Sequence, residues 1–305
     1  MTFINGRTAS DLDETAYRAF DAWSISQIKH VDRPEWFHGL YVAKPPLFEF
    51  DETAGMLFGT NCHAEFLEGK QCSPVPDWAL TSNGQRRGKN WDLYKESHSA
   101  LECLSAKEIE AVRGMRASIE AQPRIANLLF GEGPVELPLF ATDDETGLNV
   151  KGKLDKLRKA DAGLIIGDLK ITSIDVDDGR QVAAKVHAMR YHYQAAFYWD
   201  LVAAALDEAP IAFIFVFCSN KPPYTARAWR IDDNALDLGR RRYRVALADL
   251  KTRLDTGNWS GERHNSINFG PDGCLLPKYA FTDDPGDNTP MPYGEFSDYQ
   301  TEGTP

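Results

Sequence analysis

Three apolar runs separated by two short polar links fill the middle of the chain: VELPLFA (135–141), LNVKGKLDKL (148–157) and GLIIGDLKI (163–171). The links, TDDETG and RKADA, are too short to hold a crossover helix and are rich in turn-forming residues. The runs must therefore fold back on one another as antiparallel hairpins. A long helical pattern follows, roughly 180–206, RQVAAKVHAMRYHYQAAFYWDLVAAAL, and then IAFIFVFC (211–218), apolar at every position. A strand buried on both faces and entered through a helix belongs inside a sheet, joined by a crossover. YTARAWRI (224–231) alternates as a further strand, and a helix over about 232–256 closes the pattern. The expected class is α/β: a mixed central sheet flanked by helices.

Upstream the period is helical. Residues 14–30 read as helix or loop-helix, with Ser24 or Ser26 as N-cap. Residues 52–67 place Leu57, Phe58, Cys62, Phe66 and Leu67 at helical spacing, and 105–130 opens with the capping-box pair Ser105 and Glu108. Residues 70–100 are looser, with prolines and glycines. From about 262 the chain turns rich in Pro, Gly and acids, an irregular tail. This predicts a single domain over 1–261, with a helical N-terminal elaboration (about 1–130) on a core (about 131–261), followed by the tail 262–305.

The 305 residues carry a formal charge of −11, which opposes non-specific coating of nucleic acid but permits a local basic groove beside a metal-holding acidic centre. Two basic clusters stand out, Arg86, Arg87 and Lys89 in GQRRGKNW, and Arg240, Arg241, Arg242 and Arg244 in GRRRYR. No apolar stretch reaches the ~18–20 residues of a membrane span, and the N-terminal residues lack the layout of a signal peptide. Five cysteines without a C-x-x-C pair fit a reducing cytoplasm and argue against an iron–sulfur cluster.

Chemistry gathers at the end of the third strand. Asp168 and Lys170 are two apart and point to one side, and the hairpin brings Asp155 alongside. Two carboxylates at neighbouring strand ends can share a hard divalent cation, with the Leu169 carbonyl as a further oxygen ligand. Lys170 can then orient or deprotonate a water, or neutralise charge on a phosphate. Glu136 could add a ligand. On the long helix, Tyr191, Gln194 and Tyr198 share a face at i−3 and i+4, and a Gln on an aromatic stripe needs a polar partner. Gly59 precedes His63 by one turn, which would leave room beside the imidazole.

Taken in order, these residues resemble the PD-(D/E)XK nuclease superfamily and, more narrowly, its exonuclease VIII (RecE-like) group. The matching stretches are WSISQIK (Ser24, Ser26), FGTNCH (Gly59, His63), VELPLF (Glu136), KGKLD (Gly152, Asp155), GDLK (Asp168, Lys170) and YHYQAAFY (Tyr191, Gln194, Tyr198). The resemblance covers roughly residues 15–260. It implies a restriction-endonuclease-like core and a Mg²⁺-dependent deoxyribonuclease, with Mn²⁺ as an alternative ion, degrading one strand of linear duplex DNA from its ends, typically 5′→3′. By position, Asp155, Asp168 and His63 would bind metal and Lys170 would be the catalytic lysine. Gln194 and Tyr198 would support substrate or metal, and Glu136 matches the family's glutamate. The resemblance also implies phage-type recombination with a single-strand annealing recombinase, and a homo-oligomer. The competing readings are a structure-specific or nicking endonuclease on the same core, and a catalytically silent DNA-end or recombinase-binding module. The chain departs from the group at Lys151 and Lys153, where a Cys–Lys–x–Arg–Pro-like run is common, and at Ser219 and Asn220, where a glutamate is common.

Overall fold

The computed structural model describes residues 3–9, 12–50 and 52–261, together with two short strands, Phe269–Gly270 and Gly273–Cys274. The remainder of the expected tail lies outside the described residues. In chain order the elements are β1 (Phe3–Thr8), α1 (Glu14–Ala19), β2 (Trp23–Ser24), α2 (Ile25–Ile28), α3 (Pro34–Phe37), α4 (Ala54–Phe66), α5 (Lys89–Ser97), α6 (Ala106–Glu120), α7 (Pro123–Phe130), β3 (Val135–Asp143), β4 (Asn149–Ala160), β5 (Gly163–Thr172), α8 (Gly179–Ala188), α9 (Tyr191–Leu206), β6 (Pro210–Ser219), β7 (Ala226–Arg230) and α10 (Asp233–Thr256).

The sheet runs β1-β3-β4-β5-β6-β7, with β2 pairing beside β4. β3, β4 and β5 form the expected antiparallel hairpins. β6 enters parallel to β5 after the α8–α9 crossover, and β7 returns antiparallel. On β6, Phe213, Phe215 and Phe217 face one layer, where α9 and α10 bring Phe197, Leu201, Tyr243 and Leu247. Val216 and Cys218 face the other, with Met115 and Ile119 of α6 and Leu128 of α7. Each fully buried Phe or Leu contributes roughly 1.5–3 kcal/mol, so the strand that reads as wholly apolar holds both layers to the sheet. Among the described residues no helix is long and apolar enough to cross a membrane.

Three local features differ from the periodicity. The 105–130 pattern is two helices, because Pro123 starts α7 and holds the preceding Gln122 in extended backbone. The 180–206 pattern is also two, broken where Arg190 turns left-handed at φ 57°. β1 and β2 lie in the supposedly helical N-terminal part, yet both belong to the sheet. Ser24 is the N-cap of α2, in a capping box with Gln27.

Candidate active site

β4 serves two neighbours in succession. Its first half pairs with β3 on one side and, at Val150 and Lys151, with β2 on the other. Only Lys156–Ala160 pair with β5, opposite Gly163–Gly167. The β4–β5 ladder therefore opens into a fork just before Lys156, and the candidate residues surround that fork. Register sets three acids in a row: Glu136 lies between the pairs Val135–Lys156 and Leu137–Leu154, opposite Asp155, and Asp168 is the next position on β5 after Gly167.

Alternation resets at this row. Leu137 and Leu154 face the α9 layer, yet Leu157 faces it too, and Val135 faces the opposite layer. The break falls at Glu136 and Asp155, and Glu136 carries it as a left-handed backbone with φ 47°. A non-glycine residue held there costs on the order of 1–3 kcal/mol, and such strain concentrates at functional positions.

Asp155 Oδ2 accepts the Leu169 N–H at 2.8 Å, satisfying a donor that the opened ladder leaves without a strand partner. His63 reaches the fork from α4. Its Nε2 lies 2.9 Å from the Leu169 carbonyl and its Nδ1 3.5 Å from Asp155 Oδ2. Burial, then the Lys170 ammonium, keep the His63 pKa below its usual value, against Asp168 and Glu136. The imidazole is thus neutral, with Nε2–H donating to Leu169, so that the Nδ1 lone pair faces a carboxylate oxygen. Ligand atoms of His63, Glu136 and Asp155 all lie within 4.8 Å of one another. Opposed lone pairs from one imidazole and two carboxylates are the donor chemistry of a divalent-cation site, so these residues fit a metal.

Asp168 is 1% exposed. Gln194 Nε2 donates to its Oδ1 at 2.9 Å, and Lys170 Nζ lies 2.5 Å from Oδ2, an oxygen that accepts no well-aligned hydrogen bond. Burial raises the Asp168 carboxyl to about 6 against the pull of Lys170, with Asp155 adding to the rise. Burial also raises Asp155, and raises Glu136 with Asp155 next in effect. Acids that resist ionisation together are what an added cation would relieve. On Lys170 burial alone would lower the pKa, but Asp168 and Asp155 outweigh it and hold the ammonium above its usual range. Its Nζ also sits over the Tyr191 ring, 4.8 Å from the centroid. Tyr198, one turn beyond Gln194, packs on Gly152, where a Cβ would come within 2.8 Å of its ring. That close approach is why the strand carries glycine: it lets α9 bring Gln194 down to Asp168. The Gly59 position is half met, because a Cβ there would find no atom of the chain within 4 Å, leaving space without any backbone that uses it.

Residues 24–265 match the family described as a PDDEXK-like domain of unknown function (DUF3799). The chain belongs to this family. Among solved structures, this PDDEXK-like domain is similar to a candidate exonuclease from Eubacterium rectale, at 17% identity and TM-score 0.57, covering 82% of this chain and 88% of that one. At that identity the likeness shows the fold. Two weaker matches are SSO0001 (14% identity, TM-score 0.28, 48% of this chain and 61% of that one) and VC1899 from Vibrio cholerae (13%, TM-score 0.24, 84% and 60%). No curated protein matches.

Within the PDDEXK-like domain, the lysines that depart from the motif have local tasks. Lys151 Nζ donates to the carbonyls of Tyr17, Arg18 and Phe20, capping the C-terminal end of α1. Lys153 bridges Glu136 at 2.7 Å and Glu14 at 2.8 Å, so it orients the strained glutamate. Periodicity gives no hint of either role. Lys29 is a further group that sequence reasoning missed. Burial, then Lys170 and Arg190, lower its pKa to about 8, and its Nζ reaches the Met189 carbonyl only at 3.5 Å. Arg190 clamps Asp32 through Nη2 at 2.6 Å and Nη1 at 3.0 Å, fixing the start of α9.

The basic clusters divide. Arg240 binds Asp200 and Asp237, and Arg244 binds Asp143 and Glu145, so these two arginines of GRRRYR hold α10 to its neighbours. Arg86 donates to the Cys103 carbonyl at 2.7 Å and pairs with Glu108. Arg87 and Lys89 are exposed.

Proposed function

We propose that this chain is a Mg²⁺-dependent exodeoxyribonuclease, with Mn²⁺ able to substitute, that degrades one strand of linear duplex DNA from its ends. The observation that carries the reading is the row Glu136–Asp155–Asp168 across three strands, with His63 at one end and Lys170 and Gln194 at the other. His63, Glu136 and Asp155 would hold the ion, with Asp168 beside them, while the Leu169 carbonyl expected as a ligand instead accepts from His63 Nε2. A bound divalent ion supplies Lewis-acid activation of a water and neutralises charge on the phosphoryl oxygens.

The chain's own groups do the rest. Lys170, held charged by two carboxylates, acts as a donor to a phosphate oxygen and stabilises the charge that builds on it. For Lys170 to deprotonate the water instead, the ion would have to offset the two carboxylates that raise its pKa. Gln194 fixes the Asp168 carboxylate, and Tyr191 and Tyr198 line the face on which Lys170 and Gln194 lie. Lys29, half-buried near Lys170 and Arg190 with one long contact, would offer its ammonium to a neighbouring phosphate of the same strand.

The order of motifs from Ser24 to Tyr198 supports the finer reading: a RecE-like enzyme acting 5′→3′ in phage-type recombination in the cytoplasm, alongside a single-strand annealing recombinase and as a homo-oligomer. The test is hydrolysis of end-labelled linear duplex and of closed circular duplex with Mg²⁺, with and without chelator, and with Asp168→Ala. The expected result is loss of label from linear DNA alone, abolished by chelator and by the substitution. Equal cutting of both forms would instead assign an endonuclease, and uncut linear DNA would reject the nuclease reading.

A further inference from the structure

Residues 70–103 build an outlying lobe whose buried centre is small: Val75, Ala79 and Tyr94, with Leu80, Trp91 and Cys103 against them. The lobe is fastened to α4, the helix of His63. Asn61 Nδ2 donates to the Ala100 carbonyl at 3.1 Å, and Glu65 accepts the Cys72 N–H at 2.5 Å. On the lobe Trp78 is 59% exposed and Leu93 is 54% exposed. Trp78 is anchored while exposed: its backbone carbonyl accepts from Asn90 Nδ2 at 3.0 Å, and its ring meets Tyr94 edge-on at 5.6 Å. Leu93 lies on α5 between these two supports.

The segment that ties down Trp78 is locally basic, between Asp77 and Asp92. Residues 84–91, GQRRGKNW, contain three cations and no acid, in a protein of formal charge −11. Arg86 is committed to Cys103 and Glu108. Among the described residues neither Arg87 nor Lys89 forms an ion pair, and both are exposed. An exposed indole, tied through Asn90 to the segment that carries two cations outside any ion pair, complements an anionic polymer that also presents flat apolar surfaces. An unpaired nucleic-acid strand has that chemistry, with bases for stacking and phosphates for the cations. Inside a duplex the base faces are already stacked on one another, so that beyond its terminal pairs none is offered.

We propose that this lobe binds single-stranded DNA, a base stacking on Trp78 and adjacent phosphates meeting Arg87 and Lys89. The inference rests on DNA being the substrate, and gives the strand that hydrolysis leaves unpaired a place on the body that carries His63.

The experiment is fluorescence anisotropy of a labelled oligothymidylate with the full chain in chelator, where no hydrolysis occurs, over a salt series. Trp78→Ala should weaken binding about tenfold, with Trp78→Phe largely restoring it. Arg87→Gln with Lys89→Gln should weaken it further and reduce the slope of log affinity against log salt by about 1.4. Thermal melts of each variant establish that the lobe remains folded. Unchanged affinity and slope in both variants overturn the proposal. It is equally overturned if binding is unchanged while light scattering shows Trp78→Ala lowering the mass of the particle, which would make the surface a contact between copies. Binding that depends on these residues, in a protein that cuts no DNA with any divalent ion, would sink the nuclease reading and leave the lobe's role standing.

Discussion

The Asp155 carboxylate accepts the Leu169 N–H at 2.8 Å where the β4–β5 ladder stops. One side chain thereby closes the backbone of the fork and contributes to the acidic row, so its two roles separate by substitution. In metal-free buffer Asp155→Asn keeps an acceptor for Leu169 and removes a charge that burial disfavours, and it should melt at or above wild type. Asp155→Ala leaves the N–H without its partner and should cost about 1–3 kcal/mol. Both should lose hydrolysis by about 10²–10³-fold or more. Melts in chelator together with end-labelled hydrolysis check this, and an Asn variant as unstable as the Ala variant would contradict it.

Lys29 gives the proposed enzyme a pH signature. Its pKa is lowered to about 8, so the ammonium is charged below that pH and lost above it. If it meets a substrate phosphate, KM for duplex ends should rise as pH climbs past about 8. Lys29→Arg, charged throughout, should hold KM level into higher pH. Lys29→Ala should raise KM about tenfold at pH 7, the worth of one charge-assisted hydrogen bond. A wild-type KM that stays flat from pH 7 to 9.5 would remove Lys29 from the substrate.

The hairpins were legible because side-chain period and link length agree: TDDETG and RKADA admit only tight returns, and IAFIFVFC has no polar face to expose. Asp155, Asp168, Lys170, Gln194 and His63 were legible through motif order, and the structure brings them to one fork. The register reset at Glu136 was not, since a left-handed residue inside a strand leaves no trace in hydrophobic pattern. The break at Arg190 was hidden for a related reason. Its guanidinium is held by Asp32, 158 positions away, and a tertiary contact of that range overrides local helix propensity. The partners within the basic runs were hidden because Arg86, Arg240 and Arg244 answer acids that only the fold brings near.

Gly152 tests whether α9 must lie as close as it does. A Cβ there would fall 2.8 Å from Tyr198 Cε1 and 2.9 Å from Leu201 Cδ2, below any normal contact. Gly152→Ala should lose about 1–3 kcal/mol through overpacking. It should also lower kcat, because the displaced helix carries Gln194 away from Asp168. Chemical denaturation and single-turnover hydrolysis measure the two effects. Full activity at reduced stability would mean that Gln194 holds its contact despite the shift.

Glu136 separates strain from function. Its backbone sits at φ 47° inside β3, which glycine adopts freely and alanine does not. Neither glycine nor alanine can supply the carboxylate, so Glu136→Gly and Glu136→Ala should lose activity equally, by about tenfold or more, through loss of the ligand opposite Asp155. In both, Lys153 keeps Glu14 as its ion-pair partner, so that contribution cancels between them. What remains is the backbone: the glycine variant gains by escaping the left-handed penalty and loses part of that gain to the greater freedom of its unfolded chain. The net expectation is a glycine variant more stable than the alanine variant by about 1 kcal/mol. Urea denaturation of the pair in chelator reads that difference directly. An alanine variant as stable as the glycine one would show that the chain relaxes at this position, and that the reset of the strand is imposed by the Glu136 side chain instead of by the neighbours that bracket it.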